Sequence, residues 1–176
     1  MMKNTLFKSF GALFISLSLL SCDEVKELAD VKLDTNLSET ISLTIDPDSN
    51  TFSATETISL LNDDLETYAD KLKSVEITKI VCTPKNIQTS EDVAGSITLS
   101  EGGIAFLDES FSFSSGQTTA TAYTVSNTAA LQAMGQKLLS QKSISMGVAA
   151  SANNTETLNF DLEITLFLKV VANPLE

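Results

Sequence analysis

The chain has 176 residues, and its 23 acidic residues outnumber its 11 basic ones, so the net charge at pH 7 is −12. A chain this acidic repels the phosphates of nucleic acids, which excludes nucleic acid as a partner. The sequence contains no histidine and no arginine. Histidine-dependent nucleophilic catalysis, histidine metal ligands and bidentate arginine clamps are therefore excluded as well.

The N-terminus has the layout of a secretory signal. Lys3 and Lys8 precede an apolar stretch, residues 10–20, that is interrupted by only one glycine and two serines. A short basic region followed by such a stretch is typical of signal peptides. A helix needs about 20 apolar residues to cross a bilayer, so a retained transmembrane anchor is the weaker interpretation.

The four residues that end this stretch, Leu19, Leu20, Ser21 and Cys22, resemble the bacterial lipobox. The resemblance implies that residues 1–21 are removed by cleavage before Cys22 and that the Cys22 thiol is diacylated, usually with a further chain on its new amine. Each buried CH₂ contributes about 0.8 kcal/mol, so two or three chains anchor a protein stably in a membrane. The alternatives are an ordinary signal peptide with a cysteine nearby by chance, and a buried core cysteine.

Asp23 and Glu24 follow directly. An aspartate at this position resembles the inner-membrane retention signal of enteric bacteria, whereas an acidic pair resembles the surface-export signal of Bacteroidota lipoproteins. The arginine-free, Ser/Thr-rich style of the chain and its tail from Asn173 to Leu175 are similar to small Bacteroidota envelope lipoproteins. This resemblance implies an outer-membrane location, with the periplasmic and surface faces both open, and it implies no activity.

Residues 22–36 are charged with sparse apolar positions, which predicts an acidic tether, and residues 37–176 are predicted to form a single β-rich domain. Within that domain apolar and polar residues alternate with a period of two, which is typical of half-buried strands. The alternation covers residues 41–45, 52–60, 75–82, 97–99, 105–113, 123–125, 144–148 and 158–170. We expect a mainly β protein, an antiparallel β-sandwich of about eight strands with residues 158–170 at a sheet centre.

Two details refine this prediction. The alternation changes phase at Lys79 and Ile80, as a β-bulge would require. Glu101, Gly102 and Gly103 have the composition of a hairpin turn.

Two segments change to helical spacing. Residues 62–64 offer capping groups before apolar residues at 65, 68, 69 and 72, and residues 126–128 do so before those at 130, 131, 134, 138 and 139. These patterns predict two short helices, each with an apolar stripe that covers an edge or end of a sheet.

The two halves of the domain align with each other. Residues 39–43 match 109–113, residues 58–62 match 123–127, residues 73–77 match 142–146, and residues 97–99 match 164–166. The alignment predicts two degenerate ββαββ repeats, 37–106 and 107–176. A sandwich without duplication is the alternative, since Ser/Thr-rich strands resemble each other by chance.

One segment resembles the opening of an EF-hand calcium loop. Asp46, Asp48 and Asn50 occupy the first three ligand positions of such a loop. The glycine expected next is Thr51, and strand-like alternation flanks the segment where the motif needs helices. An ordinary turn is the preferred interpretation, so no metal site and no cofactor are expected.

Three acidic groups could supply a carboxylate pair for hydrolysis: residues 63–66, Glu91 with Asp92, and Asp108 with Glu109. Caps and solvated loops explain them better. Cys82 lies in an apolar run and is expected to be a buried, inert thiol.

These patterns favour a non-enzymatic, lipid-anchored envelope protein that acts as a binding or structural module on an envelope protein or polymer. The alternative is a carrier of a lipid or other apolar ligand in a β-lined cavity. A carboxylate-based hydrolase is the least favoured hypothesis.

Overall fold

The computed structural model describes residues 30–62, 64–125 and 127–174. The strands in these ranges are β1 (Val31–Ile45), β2 (Thr51–Ser59), β3 (Leu72–Gln88), β4 (Val93–Glu101), β5 (Ile104–Phe113), β6 (Tyr123–Val125), β7 (Ser143–Ala152) and β8 (Leu158–Ala172). One α-helix, α1 (Thr128–Gln141), and a 3-10 turn at Glu66–Tyr68 complete the described elements. The lipobox residues Leu19, Leu20, Ser21 and Cys22 lie outside the described residues.

The strands form two four-stranded antiparallel sheets. Sheet 1 has the order β1-β8-β3-β6, and sheet 2 has the order β2-β7-β4-β5. This order is that of a jelly roll, in which eight strands form two Greek keys across two sheets. The predicted antiparallel sandwich is confirmed, and so is the central position of residues 158–170, because β8 pairs with both β1 and β3.

The core lies between the two sheets and consists of the apolar half of each alternating pattern. Along β8 every second residue, from Leu158 to Ala172, is buried. Aromatic rings join the sheets near one end: Phe111 and Phe113 stack with centroids 4.5 Å apart, and Phe160 of sheet 1 lies 5.9 and 5.3 Å from them. Burying one large apolar side chain contributes about 1.5–3 kcal/mol, so this interface dominates stability.

The predicted bulge in β3 is confirmed. The register with β8 shifts between Ile77 and Lys79, which leaves Thr78 as the extra residue. Its hydroxyl donates a hydrogen bond to the Phe167 carbonyl at 3.1 Å. The bulge lets Ile77 and Ile80, three residues apart, both face the core.

The predicted tether, residues 22–36, ends too late in the sequence, because its last residues are part of the domain. Residues 31–36 belong to β1 and pair with β8, beginning with Val31 opposite Ala172. Val31, Leu33 and Thr35 are half-buried and alternate with exposed residues. The charged residues on the outer side of this strand concealed that alternation in the sequence.

The first of the two predicted helices is wrong. Asn62 does cap the segment, since its side-chain oxygen accepts a hydrogen bond from the Leu65 N–H at 3.1 Å. The chain then makes only the 3-10 turn, and Leu72, expected on the helical stripe, begins β3. The segment is too short for a helix because β3 must start at Leu72 to pair with the end of β8.

The second predicted helix is confirmed. The Asn127 side chain accepts a hydrogen bond from the Ala130 N–H at 3.2 Å at the start of α1. The helix ends at Lys142, whose left-handed φ of 60° lets its N–H donate to the Leu138 carbonyl. Residues Leu131, Met134, Gly135 and Leu138 form its buried side.

The helix covers a part of β3 that lacks a strand neighbour on one side. β6 pairs only with residues 80–82 of β3. Gly135 of α1 lies so close to the preceding part of β3 that a Cβ atom there would be 2.7 Å from the Val75 carbonyl oxygen. The helix therefore protects this edge from pairing with other chains, as predicted for an apolar helical stripe.

The four loops at one end of the sandwich are hydrogen bonded to each other. We name the group of residues 46–50, 89–92, 114–122 and 153–157 the loop end, and the opposite end, with Asp30, the turn at Gly102 and α1, the helix end. Glu91 is the central contact of the loop end. Its carboxylate accepts hydrogen bonds from the Thr155 N–H at 2.5 Å, the Thr155 hydroxyl at 2.6 Å and the Glu156 N–H at 3.0 Å.

We expect Gly135→Ala to destabilise the protein. Alanine improves helix propensity by about 1 kcal/mol, but the new Cβ would collide with rigid backbone, and such overpacking costs about 1–3 kcal/mol. Urea denaturation measures the net loss. The neighbouring exposed substitution Gln136→Ala is the control and should change stability by less than about 0.5 kcal/mol. A Gly135→Ala protein that gains about 1 kcal/mol of stability, the full propensity effect, would contradict the described packing of α1.

We expect Glu91→Ala to release residues 155 and 156. The hydrogen bonds from Thr155 and Glu156 hold the pKa of Glu91 below its ordinary value, so this contact is present above the ordinary carboxylate pKa and is lost as the pH falls through the lowered one. Hydrogen exchange at the Thr155 and Glu156 amides should become several-fold faster in the variant. Asp48→Ala, an exposed acid in an adjacent loop, should leave these amides protected, and equal protection in both variants would refute the contact.

Candidate functional site

The outer face of sheet 2 is the most distinctive surface of the described protein. Its outward side chains are small, and almost all are neutral. We name this set the hydroxyl face: Thr51, Ser53, Thr55, Thr57 and Ser59 of β2; Ser145, Gly147, Ala149 and Ser151 of β7; Ala94, Ser96, Thr98 and Ser100 of β4; Asp108, Ser110 and Ser112 of β5.

Cross-strand pairing arranges these side chains in rows. One row contains Thr51, Ser151, Ser96 and Ser110, each opposite the next on the neighbouring strand. Two hydroxyls of this row, those of Ser96 and Ser151, lie 3.0 Å apart. Neighbouring strands are about 4.8 Å apart, so the hydroxyls form a closely spaced polar array.

The centre of the hydroxyl face is its lowest part. The small residues Gly147 and Ala149 of β7 occupy it, and the Ser100 side chain of β4 covers Gly147, since a Cβ atom there would lie 2.7 Å from its hydroxyl. Beside Ala149, between β2 and β4, lies a shallow, open depression of about 500 Å³. A partner could therefore approach β7 closely at Ala149.

Asp108 is the one ionisable residue among those that define the hydroxyl face. It lies on the edge strand β5, and its carboxylate accepts a hydrogen bond from the Thr98 hydroxyl at 3.1 Å. The rest of the face carries no ion, so burying it does not require the dehydration of a charge. That dehydration is the largest free-energy cost of burying a polar surface.

The outer face of sheet 1 is different, because charged side chains alternate along it and bind one another. Lys85 forms an ion pair with Glu163 at 2.7 Å. The Asp161 carboxylate accepts hydrogen bonds from the Asn86 amide at 2.7 Å and the Ser42 hydroxyl at 2.6 Å. These two bonds hold the pKa of Asp161 below its ordinary value. Lys85, Glu163 and Asp161 are thus already partnered within the sheet.

The calcium-like segment is a turn between β1 and β2. The N–H groups of Ser49 and Asn50 donate to the Asp46 carbonyl at 3.2 and 2.8 Å, and Asn50 has a left-handed φ of 52°. Asp46 also accepts a hydrogen bond from the Thr157 hydroxyl at 3.3 Å. In the described part of the chain, no group of three or more acidic or cysteine side chains is arranged to hold a metal ion.

The acidic groups considered for hydrolysis are not brought together as a pair. Asp108 and Glu109 are consecutive residues of β5, so their side chains point to opposite sides of the sheet. The Glu91 carboxylate is bound to Thr155 and Glu156, and Asp92 accepts a hydrogen bond from the Ser115 N–H at 3.0 Å. Asp64 accepts one from the Thr35 hydroxyl, and Asp63 lies outside the described residues.

Cys82 is buried in β3, and its burial raises the pKa of the thiol to about 12. A thiol with that pKa is almost entirely protonated at neutral pH and is a poor nucleophile. The prediction of a buried cysteine is confirmed.

Sequence reasoning missed the hydroxyl face. The signal was present as small residues, most of them serine or threonine, at every second position of β2, β4 and β7. In the sequence these residues indicate only the solvent side of each strand, because the sequence does not show that β2, β7 and β4 are neighbours.

Among the described residues, none of the helices has the length and hydropathy needed to cross a bilayer. No protein-family model matches the sequence, and no curated protein matches it.

Solved structures with a similar arrangement of strands are of viral proteins. The decameric BFDV capsid protein is 11% identical, with 80% of this chain and 99% of that chain covered and a TM-score of 0.45. A chain of desmodium yellow mottle tymovirus is 9% identical over 84% and 83% (TM-score 0.43), and one of turnip yellow mosaic virus is 7% identical over 83% and 96% (TM-score 0.44). Similarity at this level carries no argument about what this chain does.

Proposed function

We propose that this chain is a non-enzymatic, lipid-anchored protein of the outer membrane, which acts as a binding or structural module. One observation carries the proposal: the chain enters the domain at the helix end, where β1 begins at Val31. An anchor at Cys22 would therefore hold the helix end near the bilayer and direct the loop end away from it.

The lengths of the segments agree with this orientation. The chain from Cys22 to Asp30 can span at most about 27 Å, so the domain stays close to its anchor. β1 contains 15 residues, which at about 3.3 Å per residue extend roughly 50 Å. The loop end is thus carried well beyond the headgroup region.

The distribution of charge supports the same orientation. The loop end carries Asp46, Asp48, Glu91, Asp92 and Glu156, and its loops contain no lysine. Most lysines of the described residues lie toward the helix end: Lys32, Lys71, Lys73, Lys137, Lys142 and Lys169. There they offset acidic residues such as Asp34, Asp70 and Glu76. Anionic headgroups repel carboxylates and attract lysines over about 10 Å, so the loop end is favoured on the far side.

The packing of the interior favours a binding module over the carrier alternative. The inward side chains of the described strands form one buried cluster, and the rings of Phe111, Phe113 and Phe160 contact each other across it. The hydroxyl-face depression and two further concave sites of about 390 and 290 Å³ open to solvent and have mixed polar linings. An apolar cargo would instead need an enclosed cavity lined by apolar side chains.

We also infer that the two halves of the domain arose as ββαββ repeats. If β1, β2, β3 and β4 are exchanged with β5, β6, β7 and β8 respectively, the strand order of one sheet becomes that of the other. Every jelly roll has this symmetry. A more specific support is that Asn62 and Asn127, matched in the sequence alignment, each accept a hydrogen bond from the N–H three residues later.

The anchoring is tested by phase partition of the full chain expressed in a bacterial host that processes lipoproteins. We expect the wild type in the detergent phase of Triton X-114 and Cys22→Ala in the aqueous phase, because two or three acyl chains dominate partition.

Cys82→Ala is the matched control, since it removes the other cysteine of the chain, and it should remain in the detergent phase. If Cys22→Ala partitions with the wild type, Cys22 does not anchor the protein and the proposal fails.

A further inference from the structure

We infer that the hydroxyl face is a self-association surface, on which a second copy of this chain packs sheet against sheet. Three properties indicate that the partner is a second copy: the chemistry of the face, its size and the charge of the rest of the molecule.

The first argument is electrostatic. Two copies of a chain with net charge −12 repel each other. Contact through the loop end would bring together the carboxylates of Glu91, Asp92 and Glu156, and contact through sheet 1 would disturb the ion pair of Lys85 with Glu163. The hydroxyl face brings only Asp108, at its edge, into the interface.

The second argument is self-complementarity. A two-fold dimer uses the same patch on both copies, so each group must be able to meet its own kind. A hydroxyl both donates and accepts hydrogen bonds, and Ser and Thr are therefore compatible with themselves, whereas carboxylates are not. The Ser96 and Ser151 hydroxyls, 3.0 Å apart, already show this pairing within one copy.

The third argument concerns shape and entropy. Ala149 lines the shallow depression between β2 and β4, so the sheet of a second copy can approach closely there. Small side chains lose little rotamer entropy on burial. Small serine, alanine and glycine side chains also allow sheets to stack, as in silk.

The size of the face suits a weak dimer. A four-strand face about nine residues long covers roughly 600 Å², so two such faces bury about 1,200 Å², the lower limit for specific interfaces. Confinement to one membrane raises the effective concentration of the copies and strengthens such a contact. With both copies anchored as proposed, the two-fold axis of the dimer is parallel to the strands. This direction rests on the proposed function, whereas the identity of the partner does not.

Cysteine cross-linking of the full chain in its native membranes tests the inference. Ala149→Cys places a thiol on the exposed centre of the face. Cys82 is buried and gives little background. With a short bis-maleimide we expect a covalent dimer from Ala149→Cys and at least tenfold less from Thr40→Cys, which is equally exposed on the outer side of sheet 1. Adding Thr55→Glu to Ala149→Cys should reduce the dimer at least tenfold, because it places two like charges in the interface.

Three results would overturn the inference. The first is an equal yield from Ala149→Cys and Thr40→Cys, which indicates random collision. The second is a cross-link to a different protein. The third is a thiol in Ala149→Cys that is shielded from a monofunctional maleimide without forming a dimer, which indicates a neutral polymer on the face. A failure of anchoring is recognised separately, since the protein would then be found in the soluble fraction whether or not it is cross-linked.

Discussion

The fold depends on the pairing of β8 with a strand on each side. β8 lies between β1 and β3 for almost its whole length, and its inward residues, from Leu158 to Ala172, are all buried. Because side chains alternate, a shift of one residue in register would turn this apolar row toward solvent. The register is therefore fixed by the core, and with it the positions of β1, β3 and the two ends of the domain.

This register has consequences for the surfaces of the molecule. The pairing of Val31 with Ala172 places the start of the domain at the helix end, and Ile45 opposite Leu158 brings the loops after β1 and before β8 together at the other end. Asn154 joins them there, since its side-chain amide donates to the Ile45 carbonyl at 2.8 Å. The proposed orientation on a membrane thus follows from the same pairing that organises the core.

The outer faces of the two sheets carry different kinds of side chain. On sheet 1 long charged side chains bind one another, as Lys85 does with Glu163. On sheet 2 the outward residues are short, and Ala149 of β7 lines a shallow, open depression. A charged face is well suited to contact with water, whereas a neutral face of small residues can be buried at little cost. This difference is the physical basis for assigning the contact surface to sheet 2.

The sequence by itself determined the strands, the bulge near Lys79 and the helix after Asn127, because each depends on local alternation or on a cap within a few residues. It also carries the lipobox resemblance at Cys22, which is a property of four consecutive residues. Only the tertiary structure decided that residues 31–36 belong to β1 and that the segment after Asn62 makes a single turn, since both depend on pairing with β8 more than 90 residues away. The hydroxyl face was decided in the same way: its rows form only when β2, β7 and β4 become neighbours, and strand order is set by packing between distant segments.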